Sequence, residues 1–197
     1  MSERVRIFLV MSKKLTVLCD LDDVLFPLVP LWITEINKKY GTLVSPSGIT
    51  DWDIVDFFPS LTRKQIFQPL NKASFWEKRL PTEDGLWFVD NVLDDGHELI
   101  VVTSAHYTDI EHSIRRLLQC YDRLSYSDIV ITAKKQRVIG DVLIDDAIHN
   151  LIDGSYYPIL KSMPHNTKCN EDEYGIRRVR NLYQAYNIVK NLAEGII

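Results

Sequence analysis

Within residues 15–25, Leu-Thr-Val-Leu-Cys-Asp-Leu-Asp-Asp-Val-Leu, an apolar and β-branched run ends abruptly in three carboxylates, Asp20, Asp22 and Asp23. Clustered carboxylates repel one another and resist desolvation, so such a group is costly unless a cation sits among its oxygens. In extended backbone, residues two apart point to the same side, which brings Asp20 and Asp22 together. Three more polar clusters close or follow apolar runs: Thr103-Ser104, Lys134-Lys135 and Asp145-Asp146. If they converge, two facing pairs of carboxylates form an oxygen-rich site suited to Mg²⁺, a hard cation. A lysine, either Lys134 or Lys135, and a hydroxyl would hold the oxygens of a phosphoryl group. The combination points to chemistry on phosphate. A metal shields the carboxylate nucleophile from the dianion it attacks, and a second acid protonates the leaving oxygen. Taken alone, residues 20–23 leave a solvated turn after a strand as the lesser alternative.

Convergence requires that these clusters end neighbouring parallel strands. Leu15 to Cys19 reads as a strand buried on both faces and too short for a membrane span. Further strands are predicted at 98–102, 129–132 and 142–144, with weaker ones at 157–160 and 177–179. Helices are predicted at 26–40, 85–93, 109–121 and 181–193. Strand and helix alternating with short links implies a parallel sheet covered on both sides, an α/β, three-layer, Rossmann-like core. Ligands of such sheets bind beyond the carboxyl ends of the strands, where all four clusters lie. Residues 42–80 break the rhythm with Pro46, Gly48, Pro59 and Pro69 and are dense in aromatics. They suit a small helical cap inserted after the first strand, offering flat faces for a ring to stack on. Phe75 and Trp76 are the candidates to touch a ligand there, against the alternative that they pack the cap's own interior. The expected organisation is a core of residues 15–26 and 81–197, a cap of residues 27–80 and an N-terminal extension of residues 1–14. Met11-Ser-Lys-Lys resembles a second start, which makes residues 1–10 dispensable on this reading.

The chain has 197 residues, 46% hydrophobic and 25% charged, with a net charge of -4. That is enough for one sizeable core plus a small insert. The acidic balance argues against a long nucleic acid as partner, since such binders carry a basic surplus. Three widely separated cysteines offer neither metal spacing nor a disulfide framework, which fits free thiols in a reducing cytoplasm. No secretory signal or membrane span is expected.

Asp-Leu-Asp-Asp-Val, an apolar strand ending Val-Thr-Ser, then Lys135, then Leu-Ile-Asp-Asp resemble the four ordered motifs of the haloacid dehalogenase superfamily of phosphatases. Within it the sequence is most similar to the 5′(3′)-deoxyribonucleotidase group, through the Thr103-Ser104 pair, Lys135 ten residues before Asp145, and Phe75-Trp76 ahead of residues 81–89. The resemblance implies a Mg²⁺-dependent phosphomonoesterase acting on deoxynucleoside monophosphates through an aspartyl-phosphate. It implies Asp20 as nucleophile, Asp22 as general acid and then base, Thr103 and Ser104 on the phosphoryl oxygens, and Lys135 neutralising charge. The metal would take the Asp20 carboxylate, the Asp22 backbone carbonyl and one or both of Asp145 and Asp146. Relatives often carry glycine where this chain has Asp23, so a narrower and more negative turn is expected.

Two other readings compete. One keeps the chemistry but changes the substrate to another small phosphorylated metabolite or a nucleic-acid 3′-phosphate. The other is a catalytically silent binding relative, which would not need a general acid. His106, close behind Thr103-Ser104, is a further candidate for the crevice. His97, His112 and His149 read as surface or capping residues, and Arg177, Arg178 and Arg180 as a solvated edge. Residues 163–166, Met-Pro-His-Asn, suit either the site rim or a capped turn. A homodimer is left open.

Overall fold

The computed structural model describes residues 12–104 and 110–197; most of the expected N-terminal extension, and His106, lie outside the described residues. Strands β1 Thr16–Cys19, β2 Glu98–Thr103, β3 Ile129–Ile131, β4 Val142–Asp145, β5 Tyr157–Lys161 and β6 Arg177–Val179 form one sheet. Every neighbouring pair is parallel, in the order β3-β2-β1-β4-β5-β6. The chain steps outward from β1 to β3, then returns across β1 to start β4 on its other side. That reversal parts the loops leaving β1 and β4 and opens a crevice at their carboxyl ends.

The central strands are apolar throughout because both faces are covered. Val17, Leu18 and Cys19 are fully buried, as are Val142, Leu143 and Ile144. Helices α4 Glu83–Asp94, α5 Ile110–Cys120 and α7 Leu182–Ala193 pack Phe88, Leu117 and Val189 into the cluster holding Val17 and Cys19. Leu18, Val102 and Leu143 face the opposite cluster, with Leu151 of the short helix α6 Ile148–Leu151 and Tyr156. The helices start on local signals. Thr82 accepts from the Gly85 N–H at 3.1 Å ahead of α4, and Asn181 accepts from the Gln184 N–H at 3.0 Å ahead of α7.

Between β1 and α4 lies a helical insert with α1 Leu28–Tyr40, α2 Arg63–Phe67, α3 Ala73–Trp76 and several 3₁₀ turns. Its prolines remove the backbone donors a ladder needs, so it contributes no strand to the sheet. It has a hydrophobic cluster of its own, built on Trp32, Ile33, Ile36, Phe58, Ile66 and Trp76. Gly41 ends α1 in the left-handed region at φ 68°, its N–H donating to the Asn37 carbonyl at 2.9 Å. Part of the expected extension is ordered. The Lys13 N–H donates to the Ala193 carbonyl, and its ammonium meets Asp141 at 2.6 Å. Among the described residues no helix is long and apolar enough to cross a membrane.

Candidate active site

β1 ends at Cys19, and the Asp20 N–H still donates to the Ile144 carbonyl of β4 at 2.9 Å. The Asp20 side chain is therefore launched from the most rigid part of the sheet. The Leu25 and Phe26 N–H groups both return to the Leu21 carbonyl at 3.0 Å, closing the turn. Asp23 sits at φ 58°, a left-handed conformation that aspartate tolerates better than most side chains. Its carboxylate does not add its charge at a free edge of the site. It accepts from the Leu28 and Val29 N–H groups at 2.9 and 3.1 Å and caps α1. Burial nonetheless pushes its pKa up to about 7. On the other side of the turn the buried Lys161 ammonium holds the Asp23 and Val24 carbonyls at 2.9 and 3.1 Å.

Lys135, 1% exposed, places its ammonium 2.5 Å from Asp20 and 2.7 Å from Asp145. Burial opposes its charge, but the two carboxylates outweigh burial and hold the pKa above the usual lysine range. Lys134 is exposed, so of the two neighbours the fold selects Lys135. The two C-terminal aspartates are held differently. Asp145 is fully enclosed, and its oxygens accept from Lys135, from the Ala147 N–H at 2.8 Å and from the Asn150 amide. Asp146 instead lines the cavity, with one oxygen 2.8 Å from Nε2 of His165 and its carbonyl receiving the Asn166 amide.

Asp20, Asp145 and Asp146 bring carboxylate oxygens within 4.8 Å of one another. Burial drives Asp20 well above the usual carboxylate range despite Lys135, and burial with Asp145 drives Asp146 to about 8. Three buried carboxylates share one ammonium, so without further positive charge burial favours their protonated forms. A hard divalent cation on oxygen ligands would supply that charge, and the donor set fits one. Thr103, buried at the end of β2, and Ser104 line the same cavity. So does Asp22, whose carboxylate meets the buried Arg79 guanidinium at 2.5 Å.

This acidic floor opens into a cavity of about 490 Å³, whose wall away from the floor is lined by apolar and aromatic side chains together with Asp51, Asp53 and Arg63. Trp32 and Phe67 meet edge to face with ring centres 4.9 Å apart, and Trp32 is pinned by its indole N–H to the Ile66 carbonyl. Trp52, 59% exposed, stands edge-on to His149 and His165 at 5.6 and 5.0 Å. Phe75 and Trp76 are not on this wall. They are 2% and 0% exposed inside the insert's cluster, and the Trp76 indole donates to the Leu70 carbonyl. Their large apolar surfaces help to fold the insert around its own hydrophobic cluster.

Other sequence expectations need revision. His97 is buried, accepting the Leu15 N–H on Nδ1, and His149 faces the cavity. Arg178 is no free edge charge: it bonds the Glu171 carboxylate and the Asn166 side chain. Residues 163–166 satisfy both readings at once, a 3₁₀ turn that puts His165 on the cavity. Lys161, Asn150 and Arg79 were missed. Lys161 follows an apolar run and obeys the same strand-end rule as the four clusters. Asn150 and Arg79 carry no such signal.

A family described as 5′ nucleotidase, deoxy (pyrimidine), cytosolic type C protein matches residues 13–193. A 5′(3′)-deoxyribonucleotidase of Bacillus subtilis is 28% identical over 159 residues, covering 80% of this chain and 90% of that protein. Another from Clostridium acetobutylicum is 27% identical over 178 residues, covering 89% and 94%. In three dimensions the chain resembles a haloacid dehalogenase family hydrolase from Deinococcus radiodurans, solved with phosphate and sodium, at TM-score 0.61 and 11% identity over 92% of this chain and 97% of that one. A haloacid dehalogenase-like hydrolase from Xanthomonas campestris gives TM-score 0.55 and 13% identity over 94% and 100%. At such identities these structures speak for the fold alone. The family match spans nearly the whole chain, which therefore belongs to the deoxy (pyrimidine) 5′-nucleotidase family, cytosolic type C, a family of phosphoric monoester hydrolases, on a haloacid dehalogenase-like fold.

Proposed function

We propose that this hydrolase releases phosphate from deoxynucleoside monophosphates, with Asp20 as nucleophile and Asp22 as acid and base. The observation that carries the reading is the meeting of Asp20, Thr103, Lys135 and Asp146 on one floor beneath a 490 Å³ cavity with an aromatic wall. A phosphoryl group on that floor leaves the cavity for a nucleoside, and the rings of Trp32, Trp52 and Phe67 suit a base. The relatives named as 5′(3′)-deoxyribonucleotidases support the same substrate class.

In the first step an Asp20 oxygen bonds to phosphorus, the ester P–O bond breaks, and the departing oxygen takes a proton from Asp22. In the second step water attacks the phosphoryl-aspartate, Asp22 takes the water's proton, and the Asp20 carboxylate is regenerated. Thr103 and Ser104 hold phosphoryl oxygens, and the Lys135 ammonium offsets the charge that accumulates on them. Asp20, the Asp22 carbonyl and Asp146 would hold Mg²⁺, which supplies positive charge beside nucleophile and phosphate when bound. Asp146 is the better C-terminal ligand because both Asp145 oxygens are already engaged. Asp145 then serves to hold Lys135 and the loop. The helical insert acts as the cap.

Phosphate release from a panel of deoxynucleoside, ribonucleoside and sugar monophosphates, with Mg²⁺ and with EDTA, tests this. Metal-dependent turnover favouring deoxynucleotides is expected. Turnover confined to sugar phosphates, or none, overturns it.

A further inference from the structure

Arg79 lies where the insert rejoins the core, three residues after α3 and just ahead of Pro81. It is 1% exposed and among the largest fully buried side chains. One guanidinium nitrogen donates to Oδ1 of Asp22 at 2.5 Å, and the other terminal nitrogen donates to the buried Ser113 hydroxyl of α5 at 2.8 Å. The guanidinium carbon lies over two aromatic rings, Phe26 at 4.7 Å and Trp76 at 5.2 Å. Its backbone carbonyl accepts from the Arg116 guanidinium, which fixes the main chain as well. Its Nε is buried with no acceptor among the described residues.

As a stabilising device this is a poor arrangement. A buried cation with one donor unmet and a single, one-fifth exposed carboxylate partner gains little over an apolar side chain of the same volume. As a way of fixing a rotamer it is effective, because both the anchor and the rings are rigid. Among the described residues Asp22 makes no other side-chain hydrogen bond, and Arg79 holds the direction of its carboxylate over the cavity.

We infer that Arg79 is a positioning residue that aims the Asp22 carboxyl at the leaving oxygen, and thereby ties proton transfer to the seating of the insert on α5. The inference rests on Asp22 acting as the acid in the reading above. It predicts selective damage: proton donation fails while phosphoryl capture by Asp20 does not. An alkoxide leaving group needs the proton, whereas p-nitrophenolate departs as a stabilised anion without it.

The experiment compares wild type, Arg79→Met and Asp22→Asn in Mg²⁺ on the fastest-cleaved alkyl phosphate of the panel and on p-nitrophenyl phosphate. The second substrate is followed as single-turnover p-nitrophenolate release with enzyme in excess. For Arg79→Met we expect kcat on the alkyl phosphate to fall about 10- to 100-fold with KM unchanged, and p-nitrophenolate release to keep its wild-type rate. Unchanged alkyl turnover in Arg79→Met while Asp22→Asn collapses overturns the role of Arg79 alone. Equal slowing of both substrates in Arg79→Met also overturns it, as the mark of a purely structural part. Unchanged alkyl turnover in Asp22→Asn overturns the assignment of Asp22 itself. Should Arg79→Met fail to fold, Ser113→Ala removes one anchor of the guanidinium. It carries the same selective pattern at about 3- to 10-fold, and full alkyl turnover there overturns the inference.

Discussion

On the cavity floor, Asp145 has both oxygens engaged by Lys135, Asn150 and the Ala147 N–H, all of them buried. On the wall, Trp52 is 59% exposed and meets two histidine rings edge to face. Lys135 and Asp145 are held from several directions by charge and hydrogen bonds, at the ends of strands that cannot shift without breaking the sheet. The wall is held mainly by packing, with Trp32 also tied to the Ile66 carbonyl, and its outer ring, Trp52, stands largely in solvent. A floor built this way suits a reacting group whose position must be kept to a fraction of an ångström. A wall built the other way suits a base that needs area and shape more than fixed bonds. Damage to the floor should therefore appear in kcat, and damage to the wall in KM.

The sharpest break comes from Asp20→Asn. It removes the proposed nucleophile yet keeps a polar side chain of the same size beside Lys135, so the fold should persist. Expected is a loss of about 10³-fold or more in kcat, measured as phosphate release, with thermal unfolding no lower than wild type. Turnover within tenfold of wild type would show that the floor does not perform the covalent step.

Next in size is Phe75→Ala. Because Phe75 packs the insert and not the wall, truncation should cost about 3 kcal/mol of stability through the cavity it leaves. At a temperature where the variant is folded, KM for the nucleotide should stay within about twofold of wild type, small against the 1.4 kcal/mol that a tenfold change represents. A raised KM with unchanged unfolding temperature would put Phe75 back on the ligand.

That case shows which parts of the molecule a sequence discloses. Asp20, Thr103 and Asp145-Asp146 were legible because a polar group at the end of an apolar run is locally anomalous and a parallel sheet brings strand ends together, whereas that rule left Lys134 and Lys135 open. Ten residues separate Lys135 from Asp145, and the turn between them has little freedom to place the lysine elsewhere. The wall had no such rule. Trp32, Trp52, Phe67, Phe75 and Trp76 are alike in composition, and only the packing of short helices decides which rings face inward. Arg79 was illegible for a related reason. It follows Glu77 and Lys78, in a run that reads as solvated charge, and its burial depends on Ser113 of a distant helix. His97 likewise became a buried acceptor only because β1 begins beside it.

Trp52→Ala tests the wall directly. Losing one exposed ring should raise KM for a deoxynucleoside monophosphate about tenfold, roughly the 1.4 kcal/mol of one aromatic stacking contact, and leave kcat unchanged. Single-turnover p-nitrophenolate release, which needs no base contact, should be unaltered. A fall in kcat with constant KM would mean that Trp52 acts through His165 on Asp146 and belongs with the floor.

The smallest effect lies at the outer edge of the floor. Asn166 donates to the Asp146 and Lys161 carbonyls and is itself held by Arg178, which the Glu171 carboxylate grips at 2.5 and 2.8 Å. Hydrogen bonding from Arg178 pulls the Glu171 pKa from 4.5 down to about 2. A folded-state pKa below the unfolded one means the pair stabilises the protein fully above about pH 5 and loses that contribution as pH falls through about 2. Arg178→Met should thus lower the unfolding temperature by about 2–4 °C at pH 7, corresponding to about 1 kcal/mol for a partly exposed pair. The deficit should shrink steadily below pH 4, as Glu171 becomes protonated in wild type as well. A deficit constant across that range would mean that Arg178 supports the floor through Asn166 alone, with Glu171 a bystander.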